Sequence, residues 1–301
     1  MEIQIISGFL GAGKTTFLNK YLPLLPGKTV VLENEFGKIG LDGGLIEGDV
    51  PVRELSSGCI CCSLAADLRT AIREVAEAYA PDRILIEPSG VAMLGDVINA
   101  GKGAQLPADM EPRFTKRVTI VDAACFSAYA KGFPFYLEQA ENAGIIFLSH
   151  LEKTDEAQVA QVVEELRRCN PRAVIYDGDW RKLDGDTLLA LIEQSPDPAE
   201  GDEPAHYDIP DAENLFTSVS IARPRQLSAA DPTAFLAALA EGVCGRVLRA
   251  KGYLPCAGGM YYIDLTMSGS VCRPAEAEGH SGGLVVIGSG LDRRGLLGLF
   301  V

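Results

Sequence analysis

The stretch Gly8-Phe9-Leu10-Gly11-Ala12-Gly13-Lys14-Thr15 sets glycines, a lysine and a hydroxyl at the spacing G-x-x-x-x-G-K-[ST]. Each type serves phosphate binding. Glycines let the backbone curl until its N–H groups converge on phosphate oxygens. A helix beginning at Lys14 adds its N-terminal N–H groups and dipole to the same anion. Lys14 supplies a point charge for the outer phosphates, and Thr15 a hard oxygen for Mg²⁺. Gly8, Gly11, Ala12, Gly13, Lys14, Thr15 and Thr16 are therefore the predicted phosphate-binding residues of a P-loop.

Further acids follow in the order a nucleotide hydrolase needs. Ile84-Leu85-Ile86-Glu87-Pro88-Ser89-Gly90 is an apolar strand that ends in an acid and then a glycine. Glu87 would hold the Mg²⁺ shell or orient water, and the Gly90 N–H would meet the γ-phosphate. Val118-Thr119-Ile120-Val121-Asp122-Ala123 repeats the pattern. Asp122 serves either the site or the cap of the next helix. Lys153 and Asp155, in Glu152-Lys153-Thr154-Asp155, resemble the guanine-reading motif Asn-Lys-x-Asp, with Glu152 in the place of Asn. A carboxylate there opposes guanine O6 unless it points away or is protonated. A helix N-cap at Thr154 or Asp155 is the structural alternative.

Cys59, Cys61 and Cys62 fall within four positions, just before a predicted helix. Thiols at a helix N-terminus have lowered pKa, which favours thiolate and soft-metal binding. Three thiolates and one outside ligand would satisfy tetrahedral Zn²⁺. Cys59 and Cys62 also have the C-x-x-C spacing of a redox pair, but a third thiol stands between them.

These residues need a scaffold. Apolar runs at Glu2–Ser7, Thr29–Leu32, Arg83–Ile86, Val118–Val121, Gly144–Leu148 and Ala173–Tyr176 alternate with helical stretches at Lys14–Tyr21, Ser63–Tyr79 and Glu156–Arg168. Strands apolar throughout predict an α/β fold, a mostly parallel sheet with helices on both faces. A glycine-rich loop spans 37–48. Prolines and acids crowd 196–213, read as a linker between a P-loop domain over 1–195 and a smaller α+β domain over 214–301. That domain's predicted elements are strands at Leu215–Ile221, Met260–Thr266 and Gly283–Ile287, and helices at Pro232–Glu241 and Asp292–Phe300. The 301 residues carry a net charge of −14. Such acidity argues against nucleic acid and anionic membranes as partners. No apolar run is long enough to span a bilayer, and no leader precedes the first strand, so a cytoplasmic location is expected.

Gly8–Thr16, Glu33-Asn34-Glu35-Phe36-Gly37, Gly58–Cys62, Glu87–Gly90 and Val121-Asp122-Ala123 together resemble the CobW-like metallochaperone GTPases, the group that includes UreG- and HypB-type proteins. Gly283 to Phe300 resembles the end of that family's C-terminal domain. The resemblance implies a GTP-binding and GTP-hydrolysing protein, with GTP, Mg²⁺ and Zn²⁺ or Co²⁺. It implies transfer of the transition metal to a client metalloprotein through the C-terminal domain, and leaves room for a GTP-dependent dimer. Lys14 and Glu87 would be catalytic. Thr15 and Glu87 would serve Mg²⁺, and Cys59, Cys61 and Cys62 the transition metal. Glu33 and Glu35, beside the phosphates, would be further candidate ligands. The chain has only His150, His206 and His280, so no histidine-rich metal store is expected. A small-molecule kinase and a nucleotide-gated adaptor with structural cysteines are the alternative readings.

Overall fold

The structure is a computed structural model. It describes residues 1–36, 50–57, 62–104, 106, 112–133, 135–196, 203–205, 215–275 and 282–300; for 34–36, 54–57 and 62–65 it describes the backbone only. The predicted loop 37–48 and residues Cys59 and Cys61 lie outside the described residues, as do the side chains of Glu35 and Cys62. Two compact units divide the chain near residue 210.

In the first unit strands and helices alternate: β1 (Glu2–Gly8), α1 (Lys14–Tyr21), β2 (Thr29–Phe36), β3 (Val52–Ser57), α2 (Cys62–Tyr79), β4 (Arg83–Glu87), α3 (Leu94–Lys102), β5 (Arg113–Asp122), α4 (Phe126–Gly132), α5 (Glu138–Glu141), β6 (Ile145–Ser149), α6 (Glu156–Cys169), β7 (Val174–Tyr176) and α7 (Gly185–Glu193). Seven strands form one sheet in the order β3-β2-β4-β1-β5-β6-β7. The pairs β2–β4, β4–β1, β1–β5, β5–β6 and β6–β7 are parallel.

The uniformly apolar strands follow from burial on both faces. Successive side chains alternate between faces. Ile84 and Ile86 join Ile3, Ile5, Leu68, Ile72 and Val97 in one core cluster. Leu85, between them, joins Ile6, Val31, Phe17, Ile120 and Trp180 in the other. The first core lies under α2 and α3, the second under α1 and α7. Full burial of each such side chain is worth roughly 1.5–3 kcal/mol, so a polar residue on a central strand would be costly.

Helix α3 escapes sequence detection because Gly95 and Gly101 weaken its helical propensity. Both glycines sit where another group approaches. A Cβ on Gly101 would lie 2.2 Å from the Phe114 ring. β3 carries only two apolar residues, Val52 and Leu55, without alternation, and β5 extends the predicted strand back to Arg113 through charged residues at its open end.

The second unit holds β8 (Thr217–Ile221), α8 (Thr233–Ala240), β9 (Arg246–Cys256), β10 (Gly259–Thr266), β11 (Gly269–Ala275), β12 (Gly283–Ser289) and α9 (Arg293–Gly298). Its sheet runs β11-β10-β9-β12-β8 with antiparallel neighbours. Phe235, Leu236 and Leu239 of α8 and Leu296 of α9 pack on Ala250, Leu254, Ile263 and Val286. Two of its strands, β9 and β11, lie outside the sequence expectation. Proline and glycine interrupt both segments, and β11 is an edge strand, where a missing N–H is tolerated.

Candidate nucleotide-binding site

The chemistry gathers where β1, β4, β5 and β6 end. In open α/β sheets, ligands bind beyond the carboxyl ends of the strands. The loop after β1 needs its glycines: Gly11 and Gly13 have φ of 75° and 102°, which residues with a Cβ rarely adopt. Gly13 caps α1 from this left-handed conformation. Phe9, in the same loop, is buried in a cluster of aromatic rings. Its ring centroid lies 4.6 Å from Tyr129, 5.4 Å from Phe133 and 5.4 Å from Tyr136. This hydrophobic anchor fixes one end of the loop, and α1 fixes the other.

Lys14 is buried, with Nζ donating to the Gly8 carbonyl at 3.0 Å and reaching the Phe9 carbonyl at 3.5 Å. The ammonium is thereby folded back over its own loop. Ala12 is buried, Thr15 half-buried and Thr16 exposed. The Thr15 hydroxyl donates to Glu87 Oε1 at 3.0 Å, which joins the P-loop to the end of β4. Glu33 on β2 pairs in register with Glu87 on β4. The two acids are 2% and 6% exposed, so two carboxylates are buried at one level of the sheet. A hydroxyl and carboxylates are the hard oxygen donors Mg²⁺ prefers, and this set fits that ion.

Gly90 comes within touching distance of the P-loop. A Cβ there would stand 2.6 Å from the Leu10 nitrogen, so only glycine permits this approach. Asp122 holds the turn between β5 and α4 rather than capping the helix, whose N-cap is Cys125. Its Oδ1 accepts from the Ala124 and Cys125 N–H groups at 2.9 and 3.1 Å, just ahead of α4. Burial, then the charge of Asp122, pushes the Cys125 thiol up to about 11.

Beyond β6 the side chain that reaches the P-loop is His150, which sequence reasoning did not single out. His150 follows β6 directly, with φ of 56°, and its Nε2 lies 3.1 Å from the Gly11 carbonyl. The same nitrogen is 3.8 Å from Asp122 Oδ2. Glu152 lies between His150 and Arg181, with Oε1 3.6 Å from His150 Nδ1 and Oε2 3.1 Å from the Arg181 guanidinium. Its own backbone N–H, then Arg181, hold the Glu152 carboxyl below the usual range. The carboxylate is thus compensated. Asp155 is the N-cap of α6: Oδ1 accepts from Gln158 N–H at 2.8 Å in a capping box. Lys153 is exposed. A histidine in the left-handed region was the one signal for this turn, and sequence alone does not reveal backbone φ.

Among the described residues no cluster of three or more His, Cys, Asp or Glu could hold a metal ion, and no helix is long and apolar enough to cross a membrane.

A parallel sheet with this loop after its central strand, and Thr15 joined to Glu87, defines a P-loop nucleotide-binding protein. The model for the CobW/HypB/UreG nucleotide-binding domain matches residues 2–177, and that for the cobalamin synthesis protein CobW C-terminal domain matches residues 216–300. The chain belongs to the CobW/HypB/UreG family. Among curated relatives, it is 28% identical to the zinc chaperone YjiA of Escherichia coli, over 84% of this chain and 81% of that one. It is 27% identical to the zinc chaperone CobW of Pseudomonas aeruginosa, over 86% and 78%. A solved structure of Zn(II)-bound YjiA GTPase from E. coli aligns over 100% of this chain and 98% of that one, with 21% identity and a TM-score of 0.48.

Proposed function

We propose that this protein is a GTP-dependent metallochaperone: it binds and slowly hydrolyses GTP, holds Zn²⁺ or Co²⁺ at Cys59, Cys61 and Cys62, and passes the ion to a client protein. The observation that carries the nucleotide half is the Thr15–Glu87 hydrogen bond of 3.0 Å beneath the P-loop. Family membership and the names of the zinc-chaperone relatives support the metal half.

In this reading Lys14 exchanges the Gly8 and Phe9 carbonyls for outer phosphate oxygens when nucleotide binds. Thr15 turns its hydroxyl from Glu87 to the cation. Glu87, and Glu33 beside it, hold the cation's shell or orient the attacking water. The Gly90 N–H meets the γ-phosphate. Mg²⁺, arriving with the nucleotide, supplies neutralisation of the charge that builds on the transferred phosphoryl group. Lys153 and Asp155 contribute to the base side, where His150 ties the loop after β6 to Gly11. Residues 1–195 form the GTPase domain, 196–213 a linker, and 214–301 the part that docks the client. Residues 33–48 and the cysteine segment respond to the γ-phosphate, so that GTP favours metal retention and hydrolysis favours release. The location is cytoplasmic, and a GTP-dependent dimer fits the same cycle.

Phosphate release from GTP and ATP in Mg²⁺, compared between the natural protein and Lys14→Ala, tests the nucleotide half. Unassisted switch GTPases turn over at roughly 10⁻⁴–10⁻² s⁻¹, and a rate in that range that disappears in the variant is expected. Equal phosphate release by both proteins would contradict the proposal.

A further inference from the structure

The corner formed by α5 carries three buried polar side chains that the nucleotide site does not use. Glu138, Gln139 and Asn142 are 0%, 2% and 4% exposed. Buried polar groups are kept where their hydrogen bonds are satisfied, so their partners show what the corner holds. Gln139 Nε2 donates to the Ala92 carbonyl at 2.8 Å and to the Gly90 carbonyl at 3.3 Å. Its own carbonyl accepts from the Thr119 hydroxyl at 3.0 Å, which fixes α5 to β5. Glu138 accepts from the Leu94 and Gly95 N–H groups at 2.7 and 2.6 Å, at the start of α3. One short helix therefore grips both ends of the segment from Gly90 to Gly95.

The grip extends to a distant part of the chain. Asn142 donates to Glu138 Oε1 at 2.6 Å and to the Ala205 carbonyl at 2.9 Å, and accepts from the Ala205 N–H at 2.8 Å. Its amide pairs with Ala205 as a strand neighbour would. Gly95 lacks a Cβ where one would meet the Ala205 carbonyl at 2.6 Å and Glu138 Oε1 at 2.9 Å. A continuous chain of backbone approach and hydrogen bonds runs from Leu10 through Gly90, Gln139, Glu138 and Asn142 to Ala205. Ala205 lies in the stretch before the second unit begins near residue 210.

We infer that Gln139, Glu138 and Asn142 are positioning residues that couple the Gly90 loop to the segment leading into the second unit. The inference rests on the proposed nucleotide switch, in which Gly90 meets the γ-phosphate. A γ-phosphate that draws Gly90 toward Lys14 pulls on Gln139. The load passes through the α5 corner to Ala205, which the Asn142 amide holds by both its N–H and its carbonyl. Nucleotide state is thereby read at the linker by way of the α5 side chains.

Amide exchange at Ala205, with no nucleotide, GDP and a non-hydrolysable GTP analogue, tests this in the full chain, with nucleotide affinity measured in parallel. The GTP analogue is expected to change Ala205 exchange at least about tenfold in the natural protein. In Asn142→Ala, exchange becomes fast and equal in all three states while nucleotide affinity stays within about twofold. In Gln139→Ala, Ala205 remains protected without nucleotide but no longer responds to it. Tight nucleotide binding with unchanged Ala205 exchange in the natural protein overturns the inference and leaves the proposed function standing. A persistent nucleotide response at Ala205 in Gln139→Ala also overturns it. Failure to bind either nucleotide overturns both.

Discussion

Thr15 and Glu87 stand 72 residues apart in sequence and share a hydrogen bond of 3.0 Å. Removing either partner breaks this link between the P-loop and β4, and in the proposed mechanism removing the hydroxyl also takes away a ligand of the cation. Thr15→Ala should lower Mg²⁺-dependent GTP turnover at least about a hundredfold. Turnover at saturating Mg²⁺ and GTP checks this, and a loss of less than about threefold would exclude Thr15 from the machinery. Glu87→Gln should cost on the order of 10²–10⁴ in rate if the carboxylate orients water, with nucleotide affinity little changed. At the base side the expected effect is small. Arg181 already compensates the Glu152 carboxylate, so Glu152→Asn should change the GTP-over-ATP affinity ratio by less than about threefold. His150→Ala should weaken both nucleotides alike, because it loosens Gly11 rather than a base contact. The P-loop, Glu87 and Gly90 were legible because their types are dictated by phosphate chemistry. His150 was not, since its role depends on one backbone turn after Ser149.

Helix α3 shows where element-level reading fails and why. Propensity counts Gly95 and Gly101 against a helix, yet close packing needs both. Gly101→Ala should therefore destabilise the first unit, by about 1–3 kcal/mol from overpacking on Phe114, although propensity alone predicts a gain of about 1 kcal/mol. The urea midpoint decides the sign. The short helices α4 and α5 were likewise illegible: α4 buries only Phe126 and Tyr129 in seven residues and α5 has four residues, too few turns for a helical period to stand out. Glu138 gives this corner a pH signature. Burial outweighs the hydrogen bonds from Gly95, Leu94 and Asn142 and raises its pKa from 4.5 to about 7. Between those values the folded chain keeps a proton that the unfolded chain has released. The contribution of Glu138 to stability is therefore full below the lower value and falls as pH rises through the folded value, by up to roughly 3 kcal/mol. Urea unfolding at pH 5 and pH 7.5 should show this loss in the natural protein and a flatter profile in Glu138→Gln; equal slopes would contradict it.

At the scale of the whole molecule, the apolar strands made the parallel sheet of the first unit readable, because burial on both faces leaves one composition. The antiparallel sheet of the second was only half readable. Gly269 and Pro274 hide β11, and Arg249, Lys251 and Gly252 interrupt β9, whose charged side chains pair across the sheet, as Arg249 does with Asp264 at 3.1 Å. The proposed nucleotide and metal sites share one chain and are therefore linked: if GTP favours metal binding, metal must favour GTP binding by the same factor. Zn²⁺ and Co²⁺ titrations of the reduced protein, without nucleotide, with GDP and with a non-hydrolysable GTP analogue, measure this linkage most directly. Metal affinity should be about tenfold or more higher with the GTP analogue than with GDP, and should be lost in the triple Cys59/Cys61/Cys62→Ser variant. Equal metal affinity in all three nucleotide states would contradict the linkage.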